Sequence, residues 1–512
     1  MKTGYSRAMT EVGAGAGSGF SPAANSRLIK WLLLGIVLVL AFIMAGLPRW
    51  QYPYPLHIDE WLHLAYSRAI QVAGSTAVTS VPLYEYHESA SGENVTKVGD
   101  VEPAFHILWG ILQQVTDISW LAIFRWFPGL IFVLVVFAVY VLARRNGYGL
   151  EAAFLSSLMP TNVTILGPSL LVPVSLAMLF LPLSLLLIFN YRTKAAYAVL
   201  FIFMSFLVLL HLPTAVILTV VVASYTVLNA RENWKHSLAV AIAVISPLMA
   251  FSPLILRTAP GFAESFTGLT YLPSYLPYLP NLILFWGYLL TFLFAIGVYL
   301  LIRKGGAPGY SLVLASFLLL LHNLVFIIWH RGIQIIYHRG YLYLMLLMSI
   351  VGGYALWRMR RFSVPDTLTT RFKTYTSSWN WLRSVLLVIV IGLTLVEATS
   401  HHLQTPFYHM IDEQDYAAFV WVEQNLPEIY DKAILDPWKA TAFMALARRD
   451  VYTRIHHAPQ EADDKAYNFL HDGCRDTSFL TENNISIVYS REEVDNDSLI
   501  RLKDDIYILS KD

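Results

Sequence analysis

The chain has a single cysteine, Cys474, in 512 residues. One cysteine excludes an intrachain disulfide, so any exported part must be held together by its own core. No Cys/His cluster has the spacing of a structural zinc site. Charge is scarce as well. Only 14% of residues are Asp, Glu, Lys or Arg, where a soluble chain carries about 25%, and the formal net charge is +1. That balance gives no basic surplus, and no nucleic-acid partner is expected. There is no obvious internal repeat, which counts against a transporter or lipid flippase built from paired halves.

What is present is apolar. Hydrophobic residues make up 56% of the chain, and the mean hydropathy is +0.52. With 14 Trp, 29 Tyr and 28 Phe, aromatic belts at both membrane interfaces are well supplied. Residues 1–27 are small, polar and Gly/Ser-rich ("GAGAGSGFSPAANS") and read as a disordered cytoplasmic tail. The first apolar run begins late, lacks a convincing small-x-small cleavage site and is followed by many more. It therefore reads as an uncleaved first helix.

Apolar runs predict about eleven spans: 31–47, 121–143, 150–167, 170–190, 195–211, 213–229, 238–256, 281–302, 310–328, 340–357 and 384–400. With the N-terminus inside, the cytoplasmic loops collect Arg144/Arg145, Arg192/Lys194, Arg231/Lys235, Arg303/Lys304 and the cluster Arg358, Arg360, Arg361. The outer turns near 168 and 212 hold no Lys or Arg. This matches the positive-inside rule. The segment 104–116 ("AFHILWGILQQVT") is too short to cross and would invert every later loop, so it reads as an interfacial or re-entrant helix.

Three regions are then expected outside: the loop 48–120, a proline-rich loop 257–280 ("RTAPGFAESFTGLTYLPSYLPYLP") and the tail 401–512. In the tail, "KAIL", "DVYTR", "ISIVY" and "DIYIL" read as strands, and "DYAAFVWVEQNL", "WKATAFMALARR" and "DKAYNFLHDG" as helices. Alternation predicts a small α/β domain large enough for its own core. The expected organisation is a tail 1–27, a transmembrane domain 28–400 and an extracytoplasmic α/β domain 401–512. Three acceptor patterns for N-glycosylation (Asn94-Val-Thr96, Asn484-Ile-Ser486, Asn496-Asp-Ser498) fall on the outer side. They are common by chance.

The chemistry-bearing stretch is "YPYPLHIDEWLHLAYSRAIQ", 52–71. It sets Asp59 and Glu60 between His57 and His63, directly after the first span, where a charge costs up to about 3 kcal/mol unless paired or hydrated. Two readings stand. In one, Asp59 caps a helix and Glu60 favours its positive end. In the other, one carboxylate is a general base, with Asp59 and His63 four apart on one face. His57, Asp59 and His63 lack the HExxH order of zinc proteases, and no third ligand is evident. His330, Arg331, His338 and Arg339 in "WHRGIQIIYHRGY" break the positive-inside trend, and Arg257 does so more weakly. Arg suits phosphate through its forked donors; snorkelling to lipid headgroups is the alternative. Lys97, Glu102 and His106 are candidates for the same pocket. His211 and His322, in or near spans, read first as polar groups satisfied by helix packing.

One span, an outer loop opening on Asp59-Glu60, an interfacial "EPAFHILWGIL", a span ending "YVLARRNGYG" and a soluble domain after the last span together resemble the GT-C superfamily of polyprenyl-phosphate-dependent glycosyltransferases. This superfamily includes protein O-mannosyltransferases, lipid A aminoarabinose transferases and oligosaccharyltransferase catalytic subunits. The resemblance covers residues 28–400 in layout. It implies a polyprenyl-phosphate-linked sugar donor, a lipid, glycan or protein acceptor, Asp59 as base with Glu60 assisting, and outer basic residues on the donor phosphate. The sequence also departs from oligosaccharyltransferases. "SSWNW" at 377–381 lacks the Asp of their WWD-type motif, and "TNVTILGPSLLVP" has no acid where they carry a second acidic metal motif. A divalent metal is therefore not favoured, although Glu102 could supply a ligand. The expectation is single-sugar transfer to a hydroxyl, with whole-glycan transfer to protein as the rival enzyme reading.

Overall fold

The computed structural model describes residues 22–50, 52–74, 102–162, 165–253, 255, 286–329, 334–361, 376–405, 407–455 and 459–510. The proline-rich loop and Lys97, Arg257, His330 and Arg331 lie outside the described residues.

The molecule is a polytopic helical bundle with a small sheet at its C-terminal end. Seven helical stretches among the described residues are long and apolar enough to cross a membrane, and Lys194–Leu210 is a shorter apolar helix. In chain order the elements are α1 (Pro22–Gly46), α2 (Ile58–Ala73), α3 (Pro103–Thr116), α4 (Trp120–Arg144), α5 (Gly149–Ser157), α6 (Pro173–Ala177), α7 (Phe180–Asn190), α8 (Lys194–Leu210) and α9 (Leu212–Ala250). There follow α10 (Tyr288–Lys304), α11 (Gly306–Trp329), α12 (Gln334–Arg360) and α13 (Thr376–Gln404).

The long helix α9 joins two expected spans. Asn233 departs from helical geometry (φ −148°, ψ 72°). Asn229 Nδ2 donates to Ser237 Oγ at 3.1 Å. Residues eight apart in a straight helix are about 12 Å apart along the axis, so the chain doubles back at Asn233. The Asn233 side chain accepts from His236 N and opens the second half.

The expectation of a full span at 150–167 is corrected. Helix α5 ends at Ser157, and the described residues between 158 and 172 run as irregular backbone to α6. Two prolines, Pro160 and Pro168, lack the amide hydrogens a helix needs. Non-helical backbone at membrane depth is tolerated where protein covers it, and nearly every described residue from Leu158 to Val172 is buried. Ser169 N donates to Thr161 Oγ1 (2.9 Å) and Ser175 Oγ to Gly167 O (2.8 Å), satisfying groups a helix would have paired internally.

Helix α12 is the axis, with 89% of its apolar window buried against 11% for the peripheral α13. Small residues let its neighbours approach by backbone. A Cβ on Gly353 would lie 2.5 Å from Ala152 Cα of α5, and one on Gly297 of α10 would lie 2.2 Å from Val351 O. Helix α13 is tied in by Glu397, which accepts from Tyr288 N (2.7 Å) and Leu289 N (3.2 Å) and so caps α10.

The tail contains α14 (Glu413–Asn425), β1 (Lys432–Ile434), α15 (Ala440–Ala447), β2 (Asp450–Val451), α16 (Glu461–His471), α17 (Thr477–Glu482), β3 (Ile487–Tyr489), β4 (Leu499–Lys503) and β5 (Ile506–Leu509). The sheet runs β2-β1-β3-β5-β4, parallel for the first three strands and antiparallel thereafter. The tail seats on residues 52–74. Tyr52 Oη donates to Ile411 O (2.9 Å), Tyr408 N to Leu56 O (3.1 Å) and Arg68 to Ala445 O (2.7 Å).

Candidate active site

Residues 52–57 lead into α2, whose N-cap is His57 and not Asp59: the imidazole Nδ1 accepts from Asp59 N at 3.1 Å. The two acids then part company. Successive helical residues point about 100° apart. Asp59 stays partly exposed, with Oδ2 3.6 Å from His57 Nδ1. Glu60 turns inward and is fully buried. It accepts from Leu56 N (2.7 Å) and Leu171 N (2.6 Å) and pairs with Arg49. Arg49 also donates to Ser169 O at 3.0 and 3.1 Å. This buried pair pins α2 to the end of α1 and to the irregular segment after α5.

One turn beyond Asp59, His63 bonds its Nδ1 to Nε2 of His106 on α3 at 2.9 Å. Burial and the facing His106 hold the His63 imidazole well below the ordinary histidine range. Glu102, at the start of α3, lies between two histidines: Oε2 is 3.9 Å from His63 Nε2 and Oε1 is 3.8 Å from His211 Nε2. His211 caps α9 and bonds Thr214 Oγ1 (2.7 Å), which in turn meets Tyr343 Oη (2.6 Å).

Arg339 sits one turn before Tyr343 on α12. Its charge reaches Asp59, Glu102, His63 and His211. Its Nε and Nη1 are buried and meet no acceptor among the described residues. A buried guanidinium with unfilled donors is costly unless an anion arrives. His338 packs beside Tyr337, ring centroids 5.3 Å apart. His57 lies 5.4 Å from the ring of Tyr408. Arg125, at the start of the second span and a further basic candidate of the same kind, stacks over Trp126 at 5.1 Å.

The structure thus brings Asp59, His63, Glu102, His106 and Arg339 to one end of the bundle, between α2, α3 and α12. Thr214 and Tyr343 join them unforeseen, and so does His211, read from the sequence first as a polar group satisfied by helix packing. The signal for Tyr343 was its i, i+4 spacing from Arg339. The signal for His211 was its place, just before Pro213, in an outer turn with no Lys or Arg. Among the described residues, no group of three or more His, Cys, Asp or Glu is arranged to hold a metal ion.

The chain shares its fold with two solved membrane proteins, an archaeal oligosaccharyltransferase and ArnT. No family model and no curated protein matches the sequence. The oligosaccharyltransferase of Archaeoglobus fulgidus, in the apo form, superposes with a TM-score of 0.59 at 13% identity, over 90% of this chain and 69% of that one. The archaeal oligosaccharyltransferase AglB from the same organism, in complex with an inhibitory peptide and a dolichol-phosphate, gives 0.56 at 12%, over 91% and 70%. ArnT from Cupriavidus metallidurans, bound to undecaprenyl phosphate, gives 0.54 at 11%, over 95% and 98%. At these identities the likeness establishes the fold.

Proposed function

We propose that the chain is an integral membrane glycosyltransferase that moves a sugar from a polyprenyl phosphate to an acceptor hydroxyl on the extracytoplasmic face. The observation that carries this is Arg339: a half-buried side chain whose Nε and Nη1 are buried and meet no acceptor among the described residues, within charge reach of a partly exposed Asp59. It stands in a fold shared with structures bound to dolichol-phosphate and undecaprenyl phosphate. Arg339 holds the donor phosphate through its forked N–H groups. Arg331, eight residues earlier, is its expected companion.

Asp59 takes the proton of the acceptor hydroxyl as the new O–C1 bond forms and the C1–O bond to phosphate breaks. The departing phosphate is already a good leaving group, so no second acidic carboxyl is required, unlike glycoside hydrolysis. A single displacement of this kind inverts C1. Glu60, neutralised by Arg49, is a positioning residue, and Glu102 receives a sugar hydroxyl between His63 and His211. The reading needs no divalent metal, and chelation with EDTA is expected to leave transfer unchanged. It places the Asp59 end of the bundle and the tail 401–512 outside, with the N-terminus in the cytoplasm.

The test is transfer from radiolabelled polyprenyl-phosphate sugars by purified protein. Asp59→Asn is expected to lose about 10²–10⁴-fold, and Arg339→Lys to raise the donor KM because the fork is gone. Full transfer by Asp59→Asn removes Asp59 from the mechanism. A second reading, transfer of a whole glycan to protein, is favoured by the higher TM-scores of the oligosaccharyltransferase structures, one of them tethered to an acceptor peptide containing the NVT sequon. Such a peptide, offered as acceptor in the same assay, separates the two.

A further inference from the structure

At the end of the bundle away from Asp59, α1, α4, α5 and the end of α12 enclose a cleft of about 630 Å³. Its rim carries Lys30, Arg144, Arg360 and Arg361 against one acid, Glu151. Glu151 is buried and holds Arg360 through an Oε1–Nη1 contact of 2.9 Å. Among the described residues, no carboxylate lies within salt-bridge distance of the other three cations, although Arg361 is near enough to act on Glu151. Arg361 rests over Trp357 at 4.7 Å and Arg144 over Tyr140 at 5.9 Å. Stacking fixes each guanidinium plane and leaves its N–H edge for an acceptor.

Below the rim the wall is apolar. Ile29, Trp31 and Leu33 of α1 line the cleft and are exposed along the lipid-facing side of the bundle. A free phosphate ion has no use for such a wall, but a phosphate carrying acyl chains does. A surplus of three positive charges is also more than a zwitterionic headgroup would balance.

We propose that this cleft binds the phosphate headgroup of an anionic phospholipid, whose chains run down the exposed face of α1. The headgroup bridges Lys30 on α1 to Arg144 on α4 and Arg361 beyond α12. It thereby ties the lipid-exposed side of α1, whose apolar window is only 28% buried, to the axis of the bundle. Such basic pockets between helices are a known way of holding acidic lipids. The inference does not depend on sugar transfer.

The experiment is native mass spectrometry of the full chain with phosphatidylglycerol and phosphatidylcholine of identical acyl chains. Phosphatidylglycerol is expected to be retained preferentially, and the triple variant K30Q/R144Q/R361Q to lose that preference roughly tenfold. A control, R192Q/R231Q/K235Q, removes three exposed cations elsewhere at the same end and is expected to keep it. Equal loss in both variants means diffuse attraction to a basic surface and overturns the proposal. So does equal retention of the two lipids by the wild type. Millimolar inorganic phosphate displacing the bound lipid would show a phosphate-ion site, which also overturns it. Should the triple variant unfold, Arg361→Gln alone is read for the same loss of preference.

Discussion

Adjacent acids on a helix cannot share a task when one turns into protein and the other does not. Asp59 stays partly exposed; Glu60 is buried against Arg49 and two backbone amides. Breaking a buried ion pair by removing one partner leaves the other charge stranded, at a cost of about 3–5 kcal/mol. Glu60→Gln is therefore expected to lower the thermal unfolding temperature sharply, whereas Asp59→Asn leaves it unchanged and slows transfer about 10²–10⁴-fold. If Glu60→Gln is as stable as wild type but inactive, Glu60 belongs in the chemistry after all. Sequence alone could put both residues at the membrane edge and could pair Asp59 with His63 by spacing. It could not tell which acid turns inward, because that is decided by where Arg49 and Leu171 arrive. The cap was misassigned for a related reason: a carboxylate is the usual N-cap, but His57 already fills that position.

At the scale of elements, the spans were legible where an apolar run is also a helix. The exception, 158–172, lies in a run apolar enough to be read as a span, yet Pro160, Asn162, Gly167 and Pro168 interrupt it and its described residues are not helical. Composition records what a segment is dissolved in, and here that is protein: Arg49 and Glu60 bond Ser169 and Leu171, Thr405 donates to Thr161 O, and Leu158 packs with Met44 and Ala398. Gly353→Val is expected to force α5 and α12 apart, costing about 1–3 kcal/mol. It should also reduce transfer, because Ser169 and Leu171 would no longer meet Arg49 and Glu60; thermal unfolding and the transfer assay read the two effects. The strand β4 ("LIRLK") also went unread. It is an edge strand with Arg501 and Lys503 facing outward, the charged edge that keeps sheets from pairing with strangers.

Within the tail, Asp412 accepts from Arg491 through both carboxylate oxygens (2.5 and 2.7 Å), and this bonding holds its carboxyl far below the usual range. A depressed carboxylate stabilises the fold above its unfolded pKa, and that contribution fades as pH falls below about 4. Asp412 is largely exposed, so the contribution is modest. The difference in unfolding temperature between wild type and Asp412→Asn should be present at neutral pH and shrink on acidification below that range. A difference that grows on acidification is incompatible with the pairing.

Across the whole molecule, the tail and the site share one support. Arg68, on the same helix as Asp59, donates to the last carbonyls of α15 and to Glu423. A cation there satisfies orphan acceptors at a helix C-terminus. Arg68→Ala is expected to loosen the tail by about 2 kcal/mol, seen as faster amide exchange across 440–447, and to slow transfer through α2.

Part of the cover over residues 158–172 comes late in the chain, from Ala398 of α13, which packs with Leu158, and from Thr405 just beyond it, which donates to Thr161 O. Thr161 leaves the ribosome about 240 residues before Thr405, an interval of roughly 12–50 s at ordinary elongation rates. Throughout that time Thr161 O has no Thr405 hydroxyl, and lipid offers no donor to replace it, so this side of the segment must stay in the insertion machinery or in water. Biogenesis of this protein is accordingly not a sequence of independent helix releases: the region from α5 to α7 is retained until α13 arrives to receive it.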